Sequence, residues 1–190
     1  METFLISTGV VALAEIGDKT QLLALVLATR FRRPWPIIAG VSVATLLNHA
    51  AAGLAGSFIT SFIDATWLRW ILGLSFLAMA GWALIPDTLT DTRAGPAKGH
   101  GAFLTTLIAF FLVEIGDKTQ IATVALAARY SSLAAVVAGT TLGMLVANVP
   151  VILLGEAAAT RLPLRPIRII TALIFAGLGI LALTGFQGFS

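Results

Sequence analysis

The sequence predicts an all-α integral membrane protein with six transmembrane helices, arranged as two inverted three-helix repeats. Three observations predict this fold class. Of the 190 residues, 58% are hydrophobic and only 11% are charged, whereas soluble domains carry about 25% charged residues. The apolar residues form six stretches of a length that can span a bilayer, which takes about 20 residues. Finally, the heptapeptide EIGDKTQ occurs twice, at 15–21 and 114–120.

Each of the six predicted spans ends in a short segment that carries charge or turn-forming residues. The spans are predicted, in order, at residues 4–29, 36–62, 67–85, 102–128, 132–155 and 167–187. The shorter separating segments are RFRRPWP (30–36), Asp64 to Arg69, RYSS (129–132) and TRLPLRP (160–166).

The repeated heptapeptide divides the chain into two units of three spans. Residues 1–85 form the first repeat, 86–101 a polar loop, and 102–190 the second repeat. An odd number of spans per unit inverts the second repeat relative to the first. Inverted repeats are common in secondary transporters, where the substrate binds near the bilayer midplane. A weaker match, with one residue of slip, aligns AGVSVATLLN with AGTTLGMLVAN and pairs Asn48 with Asn148.

The basic residues predict the orientation in the membrane. With the N-terminus outside, eight Lys and Arg residues fall on the inner side and two on the outer side, which agrees with the positive-inside rule. Both termini are therefore predicted to be outside and the 86–101 loop inside. This bias explains the isoelectric point near 10 without nucleic acid as a partner. The inner residues are Arg30, Arg32, Arg33, Arg93, Lys98, Arg161, Arg165 and Arg168, and the outer ones are Arg69 and Arg129.

The heptapeptide places ligand-like side chains on one helix face if the helix is continuous. Glu15 and Asp18 are then i,i+3 neighbours and Gln21 follows three residues later, while Lys19 can pair with Glu15 at i,i+4. Gly17 permits a close helix approach or a local bend. The second copy repeats the pattern with Glu114, Gly116, Asp117, Lys118, Thr119 and Gln120.

The charges of the two copies indicate a cation site. One ionised residue at the bilayer centre costs at least about 2.5–3.5 kcal/mol, so the six charged groups should face each other or a wet cavity. Four carboxylates and two lysines leave a net charge of −2, which a divalent cation would neutralise. Oxygen ligands in a chain without cysteine favour Mn²⁺, Ca²⁺ or Mg²⁺ over Zn²⁺ or Cu⁺. Without the ion, crowded carboxylates should take up protons, which would allow cation/proton exchange.

The duplicated pattern E-x-G-D-[KR]-[TS] resembles the hallmark of the Gdt/MneA-type family of manganese and calcium transporters. Both copies fit it, at Glu15–Thr20 and Glu114–Thr119. The resemblance extends over the whole chain: its length, its six spans, its central polar loop and the positions of both motifs. It implies a multi-pass exporter of the bacterial inner membrane, with Mn²⁺ as the commonest substrate, Ca²⁺ handled by relatives and proton antiport proposed for the family. Together with the positive-inside bias, this predicts that both termini are periplasmic.

Residue roles follow from the motif chemistry. Lys19 and Lys118 are predicted counter-ions, either fixed or displaced by the metal, and His49 is predicted to be a packed polar residue. A purely structural set of buried ion pairs is the alternative, but excess negative charge holds helices together poorly in lipid. The predicted metal ligands are Glu15, Asp18, Glu114 and Asp117. Further ligands or hydrogen-bonding neighbours are Gln21, Gln120, Asn48, Asn148, Thr20 and Thr119.

The leading functional interpretation is a divalent-cation exporter that carries Mn²⁺ by proton antiport. A Ca²⁺/H⁺ exchanger of the same fold is the alternative, and a cation channel is a further one, although paired carboxylates favour tight binding over free conduction. An intramembrane hydrolase is disfavoured because the sequence lacks H-E-x-x-H and G-x-S-x-G and has only two histidines. No cofactor is expected: the metal is transported, with protons as counter-substrate and lipids as the surroundings.

Overall fold

The computed structural model describes residues 1–85, 101–155 and 164–184, and within these ranges the chain is helical with no β-strand. The predicted loop 86–101 lies outside the described residues except for Gly101. The described helices are α1 (Glu2–Glu15), α2 (Lys19–Phe31), α3 (Pro34–Ile59), α4 (Ala65–Ala83), α5 (Ala102–Glu114), α6 (Lys118–Arg129), α7 (Leu133–Leu154) and α8 (Leu164–Thr184).

Three described helices are individually long and apolar enough to cross a membrane: α3, α7 and α8. Helix α5 is apolar but shorter. The first and fourth predicted spans were expected to be single helices, and this expectation is wrong. Each is divided into two helices, α1 and α2 in the first half and α5 and α6 in the second. The six-span arrangement as a whole stays a prediction.

Helix packing interlocks the two halves of the chain. Helix α1 packs along α7, and α5 packs along α3. A Cβ atom built on Gly139 would lie 2.6 Å from the Phe4 carbonyl oxygen, and one built on Gly40 would lie 2.8 Å from that of Phe103. Glycine is needed at both places because the backbones approach so closely. Gly40 and Gly139 differ by 99 positions, as do Phe4 and Phe103, so the two contacts repeat with the spacing of the heptapeptide.

The remaining contacts bring the second helix of each broken span into the centre. Helix α2 contacts α7 and α5, and α6 contacts α3 and α1. Helices α4 and α8 pack on each other, with Gly73 and Gly179 at their contact. Each heptapeptide therefore lies between helices of the other half.

The surface of the described helices carries large apolar side chains. Examples more than half exposed are Leu54, Phe58, Trp67 and Leu173. The interior, by contrast, holds carboxylates, amides and hydroxyls. Apolar side chains outside and polar groups inside suit a lipid environment, where polar groups need partners within the protein. Together with the three apolar helices, this distribution identifies a membrane protein.

Candidate cation site between two helix breaks

A turn interrupts the helix in the middle of the first heptapeptide. Helix α1 ends at Glu15, and α2 begins after Asp18. Ile16 is extended (φ −65°, ψ 116°), Gly17 has φ +80°, and the Asp18 N–H donates to the Glu15 carbonyl at 3.0 Å. These are the features of a type II β-turn, whose third residue needs a positive φ and is therefore usually glycine. The motif residue Gly17 thus breaks the helix.

The second heptapeptide folds in the same way. Ile115 has φ −61° and ψ 118°, Gly116 has φ +77°, and the Asp117 N–H donates to the Glu114 carbonyl at 3.0 Å. The expectation of a continuous helix face with i,i+3 and i,i+4 neighbours is therefore wrong. In each copy the glutamate ends one helix, and the aspartate and lysine begin the next.

The two glutamines hold these breaks in place. Gln21 Oε1 accepts a hydrogen bond from the Gly17 N–H at 3.0 Å, and Gln120 Oε1 accepts one from the Gly116 N–H at 2.7 Å. Gln21 Nε2 also donates to the Ala147 carbonyl of α7 at 3.0 Å. Of the two roles left open for the glutamines, ligand or hydrogen-bonding residue, the structure displays hydrogen bonding. Sequence reasoning did not foresee that the bonds are local.

Ion pairs connect the two breaks across the halves of the chain. Lys118 Nζ pairs with Asp18 Oδ1, and Lys19 Nζ lies 2.8 Å from Asp117 Oδ1. Both aspartates are at most 1% exposed; the Lys118 side chain is 6% exposed and that of Lys19 is 29%. The pairing of Lys19 with Glu15 was expected within one helix, but the break places these two residues on different helices. Each lysine forms an ion pair with the aspartate of the other motif.

Three carboxylates form a group of the size that one cation requires. Glu15, Asp18 and Asp117 each offer an oxygen atom within 4.8 Å of the others, and all three are buried. Ligands of one Mg²⁺ or Ca²⁺ ion at roughly 2.0–2.6 Å lie at most about 5 Å apart. The group draws on both heptapeptides, and the N-termini of α2 and α6 converge on it. The residues therefore fit one shared divalent cation.

Glu114, the fourth predicted ligand, is buried but does not belong to this group among the described residues. Its Oε1 accepts a hydrogen bond from Thr45 at 3.1 Å and its Oε2 one from Asn48 at 3.4 Å. Asn48 also donates to the Phe111 carbonyl at 3.1 Å. Sequence reasoning missed Thr45, although it lies three residues before Asn48 on the same helix face.

Glu15 has a different environment. Thr20 donates a short hydrogen bond to its Oε2, while Oε1 has no hydrogen-bond partner in the described part of the chain. In the second motif, Thr119 donates to Asp117 Oδ2 at 3.4 Å and not to the glutamate. The two glutamates are therefore inequivalent: Glu114 is hydrogen-bonded by α3, and Glu15 keeps one buried oxygen without a hydrogen-bond partner among the described residues.

Asn148 does not occupy the position of Asn48. Its Nδ2 donates to the Met144 carbonyl and contacts Met144 Sδ, both at 3.0 Å, and its Oδ1 has no partner within the described ranges. The 99-residue shift that relates the helix contacts takes Asn48 to Ala147. The predicted pairing of the asparagines needs one residue of slip, and one residue turns a helix by about 100°.

The sequence predicts that His49 is a packed polar residue. It is fully buried in α3, and both ring nitrogens lack hydrogen-bond partners among the residues that the structure describes. Among the described residues, His49 therefore makes no hydrogen bond to the carboxylates.

Comparison with known proteins identifies the family. A family model described as "Divalent cation/proton antiporter GDT1" matches residues 3–91 and 102–187. A Vibrio cholerae protein named "Putative manganese exporter" is 52% identical over 92% of this chain and 87% of its own. The "Divalent cation/proton antiporter GDT1" of Saccharomyces cerevisiae is 22% identical over 92% of this chain and 81% of its own. No solved structure matches the chain. The chain therefore belongs to the GDT1 family.

Proposed function

We propose that this protein exports divalent cations, Mn²⁺ foremost, in exchange for protons. One observation carries the proposal: two helix breaks from opposite halves bring Glu15, Asp18 and Asp117 within the reach of one ion. The GDT1 family is described as divalent cation/proton antiporters. A relative with 52% identity is named as a manganese exporter. Both support transport over catalysis.

The charge balance of the site supports proton exchange. The two motifs together carry four carboxylates and two lysines, and each lysine pairs with the aspartate of the other motif, which leaves a net charge of −2 when all six groups are ionised. Two negative charges in a buried site are neutralised by one divalent cation or by two protons. Metal binding to the carboxylate group therefore favours the release of protons from the buried carboxylates, and exchange of one divalent cation for two protons leaves the total charge of the two motifs unchanged.

In this scheme, the lysine ammonium groups neutralise the two aspartates before a metal ion binds. A metal ion that binds Asp18 and Asp117 competes with their ammonium partners. The side chain of Lys19 is 29% exposed and has a route toward water, whereas Lys118 is almost enclosed. Lys19 is therefore the lysine that moves away when the metal binds, and Lys118 remains as a fixed counter-ion.

The proposed setting is the bacterial inner membrane, with two inverted repeats and both termini periplasmic. The equivalent contacts of Gly40 and Gly139 support the repeat, and the distribution of Lys and Arg supports the orientation. A cysteine introduced at Lys98, in a chain that has none, reports the side of the 86–101 loop. It should resist a membrane-impermeant thiol reagent in intact cells. Labelling from outside would show that the protein has the opposite orientation.

The function is tested by flux into proteoliposomes that contain the purified protein. Mn²⁺, Ca²⁺ and Mg²⁺ are compared with and without a pH gradient, and Asp18→Asn is the control variant. We expect Mn²⁺ uptake that the pH gradient drives and that the variant lacks. Preferential Ca²⁺ uptake would favour the Ca²⁺/H⁺ exchanger of the same fold. Flux that ignores the pH gradient would favour a channel, and absence of flux for all three ions would refute the proposal.

A further inference from the structure

We infer that Met144 is a specificity-determining residue, whose thioether sulfur faces the cation group and favours Mn²⁺ over Ca²⁺ and Mg²⁺. The inference rests on the proposed function and deepens it. Met144 lies in the middle of α7 and is fully buried. Neither composition nor the heptapeptide points to this residue, because it belongs to the helix that packs on the first break.

The internal repeat locates the Met144 side chain. The shift of 99 residues that relates Gly40 to Gly139 also relates Thr45 to Met144. Thr45 lies on the face of α3 that meets the second motif, where its hydroxyl donates to Glu114 at 3.1 Å. The equivalent face of α7 meets the first motif. In the repeat, Met144 therefore corresponds to Thr45 as Glu15 corresponds to Glu114.

Hydrogen bonds independently fix the height of the sulfur along α7. Met144 Sδ lies 3.0 Å from Asn148 Nδ2. The carbonyl of the preceding residue, Ala147, accepts a hydrogen bond from Gln21, whose other amide atom closes the break at Gly17. The sulfur therefore lies close to the level of α7 that is tied to the first helix break.

Two buried oxygens, one at the end of α1 and one in α7, lack hydrogen-bond partners among the described residues. They are Glu15 Oε1 and Asn148 Oδ1. Burying a polar atom without a partner is costly, so such atoms in a folded protein call for an explanation. Threonine in place of Met144 would supply a hydroxyl to Glu15, as Thr45 does to Glu114. Methionine supplies none and leaves the carboxylate oxygen available to a cation, with sulfur beside it.

The chemistry of a thioether predicts the selectivity. Oxygen ligands suit Mg²⁺, Ca²⁺ and Mn²⁺, while thioether sulfur favours softer ions, and Mn²⁺ is the one transition metal among the three. One sulfur beside a carboxylate group should favour Mn²⁺ modestly over Ca²⁺ and favour Cd²⁺ strongly. The alternative role for Met144 is packing, since it belongs to the apolar cluster that contains Val11 and Leu23. A packing role would affect all ions alike.

The substitution Met144→Leu separates these roles because it keeps the volume and removes the sulfur. Exchanges of this kind usually cost less than about 1.5 kcal/mol of stability. Met79→Leu is the matched control, since Met79 is 2% exposed and lies in the other apolar cluster. Affinities for Cd²⁺, Mn²⁺ and Ca²⁺ are measured by competition in the proteoliposome assay. We expect Met144→Leu to weaken Cd²⁺ about tenfold or more, Mn²⁺ by a few-fold and Ca²⁺ hardly at all.

A measurement on the unaltered protein avoids any folding defect of the variant. The chain has no cysteine and three methionines, so sulfur next to bound Cd²⁺ must come from methionine. X-ray absorption of the Cd²⁺-loaded protein should contain a Cd–S contribution, and Met79→Leu should retain it. The inference would be overturned if Cd²⁺ had only oxygen ligands, or if Met144→Leu weakened the binding of all three ions equally. In either case, flux driven by the pH gradient would still support the proposed exporter. Failure of the unaltered protein to bind any divalent cation would overturn both.

Discussion

Replacing Lys118 with methionine should destabilise the protein more than the same change at Lys19. Lys118 is 6% exposed and its partner Asp18 is fully buried, so the variant leaves a carboxylate without its counter-ion in the interior. Removing one member of a buried pair costs about 3–5 kcal/mol, or a fall in Tm of about 6–20 °C at this chain length. Lys19 is 29% exposed, so water can replace its ammonium beside Asp117. Its loss should cost about 1–3 kcal/mol.

The assay is thermal unfolding of the detergent-purified variants in metal-free buffer, followed by loss of the monodisperse size-exclusion peak. The double variant Lys118→Met/Asp18→Asn removes both charges and should recover most of the lost Tm, because the uncompensated carboxylate is gone. The reasoning is refuted if Lys19→Met lowers Tm as much as Lys118→Met, or if the double variant is no more stable than Lys118→Met alone.

Three further predictions concern the breaks and the protons. Gly17→Ala and Gly116→Ala should each cost about 1–2 kcal/mol because each glycine has a positive φ. The Cβ atom built on Gly17 meets only the flexible end of the Leu164 side chain, so the two losses of Tm should be similar; an unchanged Tm in either variant would contradict this. Gln21→Ala should lower Tm more than Gln120→Ala. It removes two hydrogen bonds, one within the break and one to α7, whereas Gln120→Ala removes only the bond within its break, and each bond is worth about 1 kcal/mol. A larger fall in Tm for Gln120→Ala would count against the assigned contacts. Mn²⁺ binding should release protons and weaken as pH falls, so the calorimetric binding enthalpy should depend on the ionisation enthalpy of the buffer, and a buffer-independent enthalpy would argue against exchange at this site.

Much of the fold class was predictable because composition and repetition carry it. A low charge content predicts a membrane protein, and the duplicated heptapeptide drew attention to the residues that converge in the structure. The helix breaks were not predicted, since apolar residues continue on both sides of Gly17 and hide the interruption. The local signal was present in Glu15–Asp18: a glycine at the third position of a type II turn, followed by an aspartate that begins a helix.

The division of roles between the two glutamates depends on tertiary structure. Both motifs are identical, so nothing within them distinguishes Glu15 from Glu114. The difference comes from the packed helices. On α3, Thr45 and Asn48 donate hydrogen bonds to Glu114, whereas the equivalent positions of α7 are occupied by Met144 and Ala147. A constant shift of 99 residues pairs Thr45 with Met144 and Asn48 with Ala147, and so predicts this contrast from the sequence. A slip of one residue pairs Asn48 with Asn148 instead and does not.

The number of Mn²⁺ ions bound per chain tests the central claim most directly, because one shared site and two separate sites differ by a factor of two. Equilibrium dialysis of the purified protein against Mn²⁺ measures this number, with Asp18→Ala and Asp117→Ala as variants. We predict one ion per chain, near-complete loss in either variant, and little further loss in the double variant, since residues that act as a unit are not additive. Two ions per chain, with one retained in each single variant, would contradict the account.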